Sequence, residues 1–229
     1  VIMYLARLIM DVTERGARRD LRNCQDLHRT VMSAFDNTNE RDARRQFDVL
    51  YRLVPSGGSK YILYVQSRVK PEVVRWLDKG YLYPLQEGRF LLNISEPAKI
   101  IKKGMLLNFD LLACPSKVTG TSTKQERLSG NKLNGRRVPL ETAEERLGWL
   151  ARKAEAGGFR LLEAWEAGKH TVHGTNYSNK KGKIYHIGVR FLGSLLVTDQ
   201  EKFLSTICCG IGPGKAYGFG LLMIKKYSG

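Results

Sequence analysis

The sequence predicts an α+β protein in which one β-α-β-β-α-β unit occurs twice in tandem. Apolar residues alternate where strands are due and recur at three-to-four spacing where helices are due. The two patterns come in the same order before and after about residue 95. Gly- and Pro-rich punctuation, such as Pro55-Ser56-Gly57-Gly58-Ser59 and Gly157-Gly158, separates the segments.

Residues 2 to 10 are apolar on both alternating sets except for Arg7, as expected of a strand inside a sheet. Arg15 to Arg22 reads as a basic connection. Asn23-Cys24-Gln25-Asp26 then offers an N-cap with an acid three residues later, which predicts a helix from Cys24 to about Phe35. Leu27, Val31, Ala34 and Phe35 would face the sheet, turning His28 and Arg29 to its edge or to solvent. Phe47, Val49, Tyr51 and Leu53 alternate, as do Tyr61, Leu63 and Val65, so this pair is a hairpin. Pro71 opens a short helix through Leu77, Gly80 stops it, and Arg89 to Ile94 supplies the fourth strand.

The second unit starts with a strand at Met105 to Ala113. Cys114 to Arg137 is rich in Ser, Thr, Gly and Lys with Glu126 as its only acid, and is expected to be a mobile basic loop. Thr142 to Glu145 forms a capping box, and Leu147, Leu150, Ala151 and Ala154 give the helix behind it an apolar face. Phe159 to Glu166 and Tyr185 to Val197 read as strands, and Thr198-Asp199-Gln200-Glu201 caps a helix ending near Cys208. A glycine loop and a strand at Leu221 to Ile224 complete the repeat. The expectation is two ferredoxin-like (RRM-like) domains, residues 1–95 and 96–229. The aromatic signature of sheet-bound RNA is missing, so base stacking on the sheet face is not expected.

Thirty-eight Lys and Arg against 22 Asp and Glu leave a formal charge of +16, which selects polyanionic partners, nucleic acid before anionic membrane. No amphipathic basic helix supports the membrane, and no apolar run is long enough to span one. Cys24, Cys114, Cys208 and Cys209 show no C-x-x-C spacing, which points to a reducing, cytoplasmic setting. Arg7 and Asp11 interrupt the first apolar run, so no signal peptide is read.

Gly210 to Gly220 holds five glycines, one proline and Lys215. Such a backbone turns sharply and lets a ligand approach its amides, and a phosphate is the expected ligand. Its spacing fits neither G-x-x-x-x-G-K-[ST] nor G-x-G-x-x-G, and it runs into a strand rather than a helix. A plain flexible turn is the alternative. Ala167 to Thr198 contains no acid but carries Lys169, Lys180, Lys181, Lys183 and Arg190, with Asn176 to Gly182 as a hairpin tip. This is either a solvated face or a nucleic-acid contact. His170 and His173 form H-x-x-H with no nearby acid or Cys to complete a metal site. His28 is placed differently, at the exposed start of a helix among arginines that keep its imidazole neutral. A neutral imidazole can take the proton of a ribose 2′-hydroxyl and so start RNA cleavage without a metal.

Asn23 to Thr30, Gly135-Arg136-Arg137-Val138-Pro139-Leu140 with Thr142 to Glu163 behind it, and Gly210 to Ala216 together resemble the CRISPR repeat-processing endoribonuclease of the type I-E Cascade complex, the CasE family. The resemblance runs from Tyr4 to Met223. It implies tandem ferredoxin-like domains and metal-independent cleavage of CRISPR precursor RNA at the base of the repeat stem-loop. It also implies retention of the product as a Cascade subunit. His28 matches the family's catalytic histidine and Arg29 a basic residue beside the scissile region. Gly212, Gly214 and Lys215 fall in the family's glycine-rich loop, and Lys180, Lys181 and Lys183 in a basic hairpin laid against the RNA stem. Arg22 and Gln25, flanking the same helix start, are further expected RNA contacts. Some members carry a tyrosine three residues before the histidine. Here that position is Gln25, which donates a hydrogen bond but transfers no proton near neutral pH, so Lys181 or Lys183 would stabilise charge instead. No cofactor or metal is expected. The rival expectation is a non-catalytic subunit that only holds an RNA stem-loop.

Overall fold

The computed structural model describes residues 2–35, 43–119, 136–176 and 182–227. Its first sheet centres on β1 (Tyr4–Asp11), whose buried Ala6, Leu8 and Met10 alternate with half-covered residues. β2 (Leu50–Pro55) and β3 (Lys60–Ser67) form the expected hairpin, and β3 pairs antiparallel with β1 from Tyr4↔Ser67 to Asp11↔Lys60. The other edge of β1 is shared by two short strands, β4 (Leu82–Pro84) and β5 (Leu91–Asn93). Only the latter was legible, because β4 is three residues long and ends in proline.

The second sheet runs β11-β6-β10-β9, with β6 (Leu106–Ala113), β9 (Phe159–Asn176), β10 (Gly182–Val197) and β11 (Leu222–Lys226) all antiparallel. Numbered within its own unit, this order is 4-1-3-2, and the first sheet reads 2-3-1-4, the same order from the other edge. Both units are therefore ferredoxin-like, as the repeated pattern predicts. Between β6 and β9 lie β7 (Ser116–Thr119), β8 (Arg136–Pro139) and the helix α6 (Ala143–Ala156). Thr142 and Glu145 close both halves of the capping box at the start of α6. The last helix, α7 (Gln200–Cys209), is capped by the Asp199 carboxylate on Lys202 N.

Three expectations are corrected. Arg15 to Arg22 is not a connection but a helix, α1, anchored by buried Ala17 and Asp20. Asp20 is fully buried because the hydroxyls of Thr30 and Tyr81 and the Arg19 guanidinium all donate to it. Four arginines in eight residues hide these two anchors from a hydrophobicity pattern. The basic segment from Cys114 to Arg137 is not wholly a loop, since Ser116 to Thr119 pairs with Arg136 to Pro139; residues 120–135 lie outside the described residues. The β9–β10 hairpin also extends well beyond Glu166 and Tyr185. Its distal half leaves the core, so the apolar alternation that marks a half-buried strand fades there.

The first core packs α2 (Cys24–Met32) and the short α4 (Val74–Leu77) on β1–β3, with Val31, Leu63, Val65 and Trp76 at its centre. The second packs α6 and α7 on their sheet through Leu150, Phe159, Phe191 and Phe203. Short helices α3 (Ala43–Gln46) and α5 (Ser95–Lys99) lie at the margins. The units are joined by specific polar links. Tyr51 Oη donates to Ala216 O and Gln66 Nε2 to Ile207 O, each at 2.8 Å. Arg52, 3% exposed, pairs with Asp110 at 2.8 Å, and Arg190 binds the same carboxylate at 2.7 Å.

Candidate active site

The helix bearing His28 begins where it does because Asn23 Oδ1 accepts the Gln25 N–H at 3.1 Å. The same oxygen accepts Thr175 N–H from β9, also at 3.1 Å. The hairpin of the second unit therefore lies across the start of α2. Gly174 allows this approach, since a Cβ there would stand 2.5 Å from Asn23 Oδ1 and 2.7 Å from Cys24 Sγ.

Helical spacing buries Leu27, Thr30 and Val31 and leaves Gln25, Asp26 and His28 half-buried. His28 is thus more covered than its place on the outer side of the helix predicts, because the facing wall comes from the glycine loop. Burial drives its pKa down to about 4, with Arg44 and then Arg29 adding to the effect. The expected neutral imidazole is present, but burial and not the Arg15 to Arg22 segment is the main cause. Nδ1 is buried with no hydrogen-bond partner among the described residues, so Nε2 is the nitrogen left open to a ligand. Arg29 is exposed and pairs with Asp26 at 2.8 Å.

All five loop glycines, Gly210, Gly212, Gly214, Gly218 and Gly220, have left-handed φ between 73° and 90°. A short 3-10 turn, Lys215–Tyr217, sits between Gly214 and Gly218. The vacant Cβ directions point into the protein. Those of Gly212 and Gly214 would meet Trp149 at 3.0 Å and Phe219 at 3.0 Å, and that of Gly220 the Ile211 carbonyl at 2.8 Å. The glycines thus serve the loop's own packing first.

That turn brings in a residue the sequence did not single out. The Tyr217 ring meets His28 edge-on at 6.4 Å and stacks on His186 at 4.9 Å. Its hydroxyl is 3.5 Å from Gln25 Oε1. The tripeptide Lys215-Ala216-Tyr217 was visible between glycines, but nothing in a sequence pairs it with a helix some 190 residues away.

One wall of the loop forms a groove of about 730 Å³ lined by Arg44, Arg45, Arg137, Lys153 and Lys215, with no acidic side chain lining it among the described residues. Burial lowers the Lys215 pKa, and Arg44 adds to this, so an anion entering the groove relieves like-charge repulsion. Arg22 is exposed at the end of α1 and lines a second cavity, about 510 Å³, which borders Tyr217 from the other side. Lys183 is exposed opposite Thr175 on the hairpin, and Lys180 and Lys181 lie outside the described residues. His170 and His173, an odd number apart on β9, face opposite sides of the hairpin and cannot share one ion. Of the expected residues, the structure gathers Gln25, His28 and the loop around Lys215. It leaves Arg22, Arg29 and Lys183 as exposed cations at the margins.

A tandem ferredoxin-like protein with a neutral imidazole at the junction of its units, beside a cationic groove, has the build of an RNA-handling protein. The profile of the family described as "CRISPR associated protein" matches residues 3–226, and the chain belongs to that family. It is 35% identical to CRISPR-associated endoribonuclease Cse3 of Thermus thermophilus, covering 97% of this chain and 99% of that protein. It is 27% identical to the CRISPR system Cascade subunit CasE of Escherichia coli, over 97% and 98% of the two. The solved structure of Thermus thermophilus Cse3 bound to an RNA representing a pre-cleavage complex superposes with a TM-score of 0.78. That match is at 32% identity and covers 98% of this chain and all of the other.

Proposed function

We propose that this chain is an endoribonuclease that cuts CRISPR precursor RNA at the base of the repeat stem-loop and stays on the product as a Cascade subunit. The relatives' names support the activity and the assembly. The observation that carries the chemistry is His28, neutral, with one nitrogen open beside a cationic groove. Nε2 takes the 2′-hydroxyl proton, and the freed oxygen attacks the adjacent phosphorus. The bond to the 5′-oxygen breaks, that oxygen gains a proton from solvent, and the products are a 2′,3′-cyclic phosphate and a 5′-hydroxyl. Lys215 and the groove arginines offset the charge that builds on the phosphorane. The role needs no metal ligand, and among the described residues no three His, Cys, Asp or Glu side chains converge.

Arg22, Arg29 and the hairpin lysines Lys180, Lys181 and Lys183 hold the stem by its phosphates, and Gln25 contacts the RNA near the cut. Residues 1–95 and 96–229 are the two units, meeting within α5. The proposed setting is the cytoplasm, where CRISPR precursor RNA is made. Separately, no helix among the described residues is long and apolar enough to cross a membrane.

His28→Ala decides the matter. It should lower single-turnover cleavage by roughly two to four orders of magnitude and leave hairpin affinity within a few-fold, because acid/base groups act in the transition state. A 2′-deoxy nucleotide just upstream of the cut should abolish cleavage, and EDTA should not. Tight binding without any cleavage by the wild type would instead identify a non-catalytic stem-loop-binding subunit.

A further inference from the structure

A general base is ordinarily aimed by a third group that accepts a hydrogen bond from its second nitrogen. His28 has no such group, since Nδ1 is buried without a partner among the described residues. Its orientation must come from packing, and the aromatic ring packed against it is that of Tyr217, 6.4 Å away and tilted 66°. Tyr217 is itself fixed at several points. Its N–H donates to Gly214 O at 2.8 Å, its ring stacks on His186, and Tyr51 Oη braces the preceding carbonyl of Ala216. Its hydroxyl reaches Gln25, which lies three residues before His28 on the same helix face. We propose that Tyr217 is the positioning residue for His28, locking the helix of one unit against the glycine loop of the other so that Nε2 faces the scissile linkage.

Burial raises the Tyr217 phenol, which keeps it protonated and therefore a donor to Gln25 Oε1. With its oxygen engaged in this way, the Gln25 side chain keeps its amide nitrogen to donate to a phosphate oxygen. Positioning of this kind presupposes that His28 is the base, so the test reads the two separately. The imidazole of His28 is followed by NMR titration in the free protein, and single-turnover cleavage is measured on RNA bearing the CRISPR repeat of the same genome. Tyr217→Ala should admit water to His28 and lift its pKa from about 4 towards the ordinary 6.5, against the opposing pull of Arg44 on α3 and Arg29 on its own helix. The same variant should lose about 100-fold in cleavage rate with RNA affinity within a few-fold. Tyr217→Phe keeps the ring, so the titration should stay low and the rate should recover to within about tenfold of wild type. Should Tyr217→Ala fail to fold by thermal melt, Tyr217→Leu, which fills the space without an edge-on ring, carries the comparison. An unmoved His28 titration in the Ala variant, or a wild-type cleavage rate in the Ala or Leu variant, overturns the proposal. If the wild type cuts no repeat RNA, the role of His28 as base falls, and the titration alone decides whether Tyr217 positions it.

Discussion

At the scale of the residue, His28 joins function to stability. Between pH 6.5 and about 4 the unfolded chain binds a proton at this imidazole that the folded chain excludes. Stability should be complete above pH 6.5 and decline as the pH falls through this window, by on the order of 3 kcal/mol from His28 alone. His170 and His186 are lowered too, burial being the main cause, and act in the same direction. Urea unfolding at pH 7 and pH 4.5 checks this, with a smaller difference expected for His28→Ala than for the wild type. RNA should reverse part of the shift, because a phosphate beside the ring favours the imidazolium that proton transfer creates. The sequence placed His28 on a capped helix, and the cap and the spacing were enough for that. Its burial depends on a loop and a hairpin far along the chain, which no local pattern encodes.

The glycine loop shows how an element can be recognised correctly for an incomplete reason. Five glycines implied close approach to a phosphate, from which Gly214→Val would weaken RNA binding with the fold intact. The structure alters that expectation. At φ 78°, with Phe219 at 3.0 Å and Cys114 Sγ at 3.2 Å from the added Cβ, valine strains the loop itself. Gly214→Val should therefore lower stability by about 1 to 3 kcal/mol as well as weakening RNA binding, and a thermal melt alongside an affinity measurement will show both. A variant with an unchanged melt would restore the simpler account. Elements with long apolar runs or capping boxes, such as β1, the β2–β3 hairpin and α6, were legible in outline. Helix α1 was not, because its anchor is a buried carboxylate among arginines, and a charged side chain reads as surface until its partners Thr30 and Tyr81 are known.

For the whole molecule, the repeated unit was readable from the order of patterns, whereas the seam between the copies was not. That seam rests on residues that look like ordinary surface charges. Burial works to raise the Asp110 carboxyl, yet the guanidiniums of Arg190 and Arg52 hold it below its usual range. Asp110→Ala should cost about 3 kcal/mol, since it leaves Arg52 buried with no counter-charge. It should also separate the unfolding of the two units in a calorimetric scan, where the wild type is expected to melt as one. Asn23 gives the seam a different property. Its one oxygen is both the cap of a helix and the docking point of a strand 152 residues on. On any capping scale serine at this position is an equal substitute. Its hydroxyl is a bond shorter, however, so it would satisfy the helix and fall short of the hairpin. Residue 23 acts in this way as a gauge of length, and a change that is silent for one element would be felt as a gap between two.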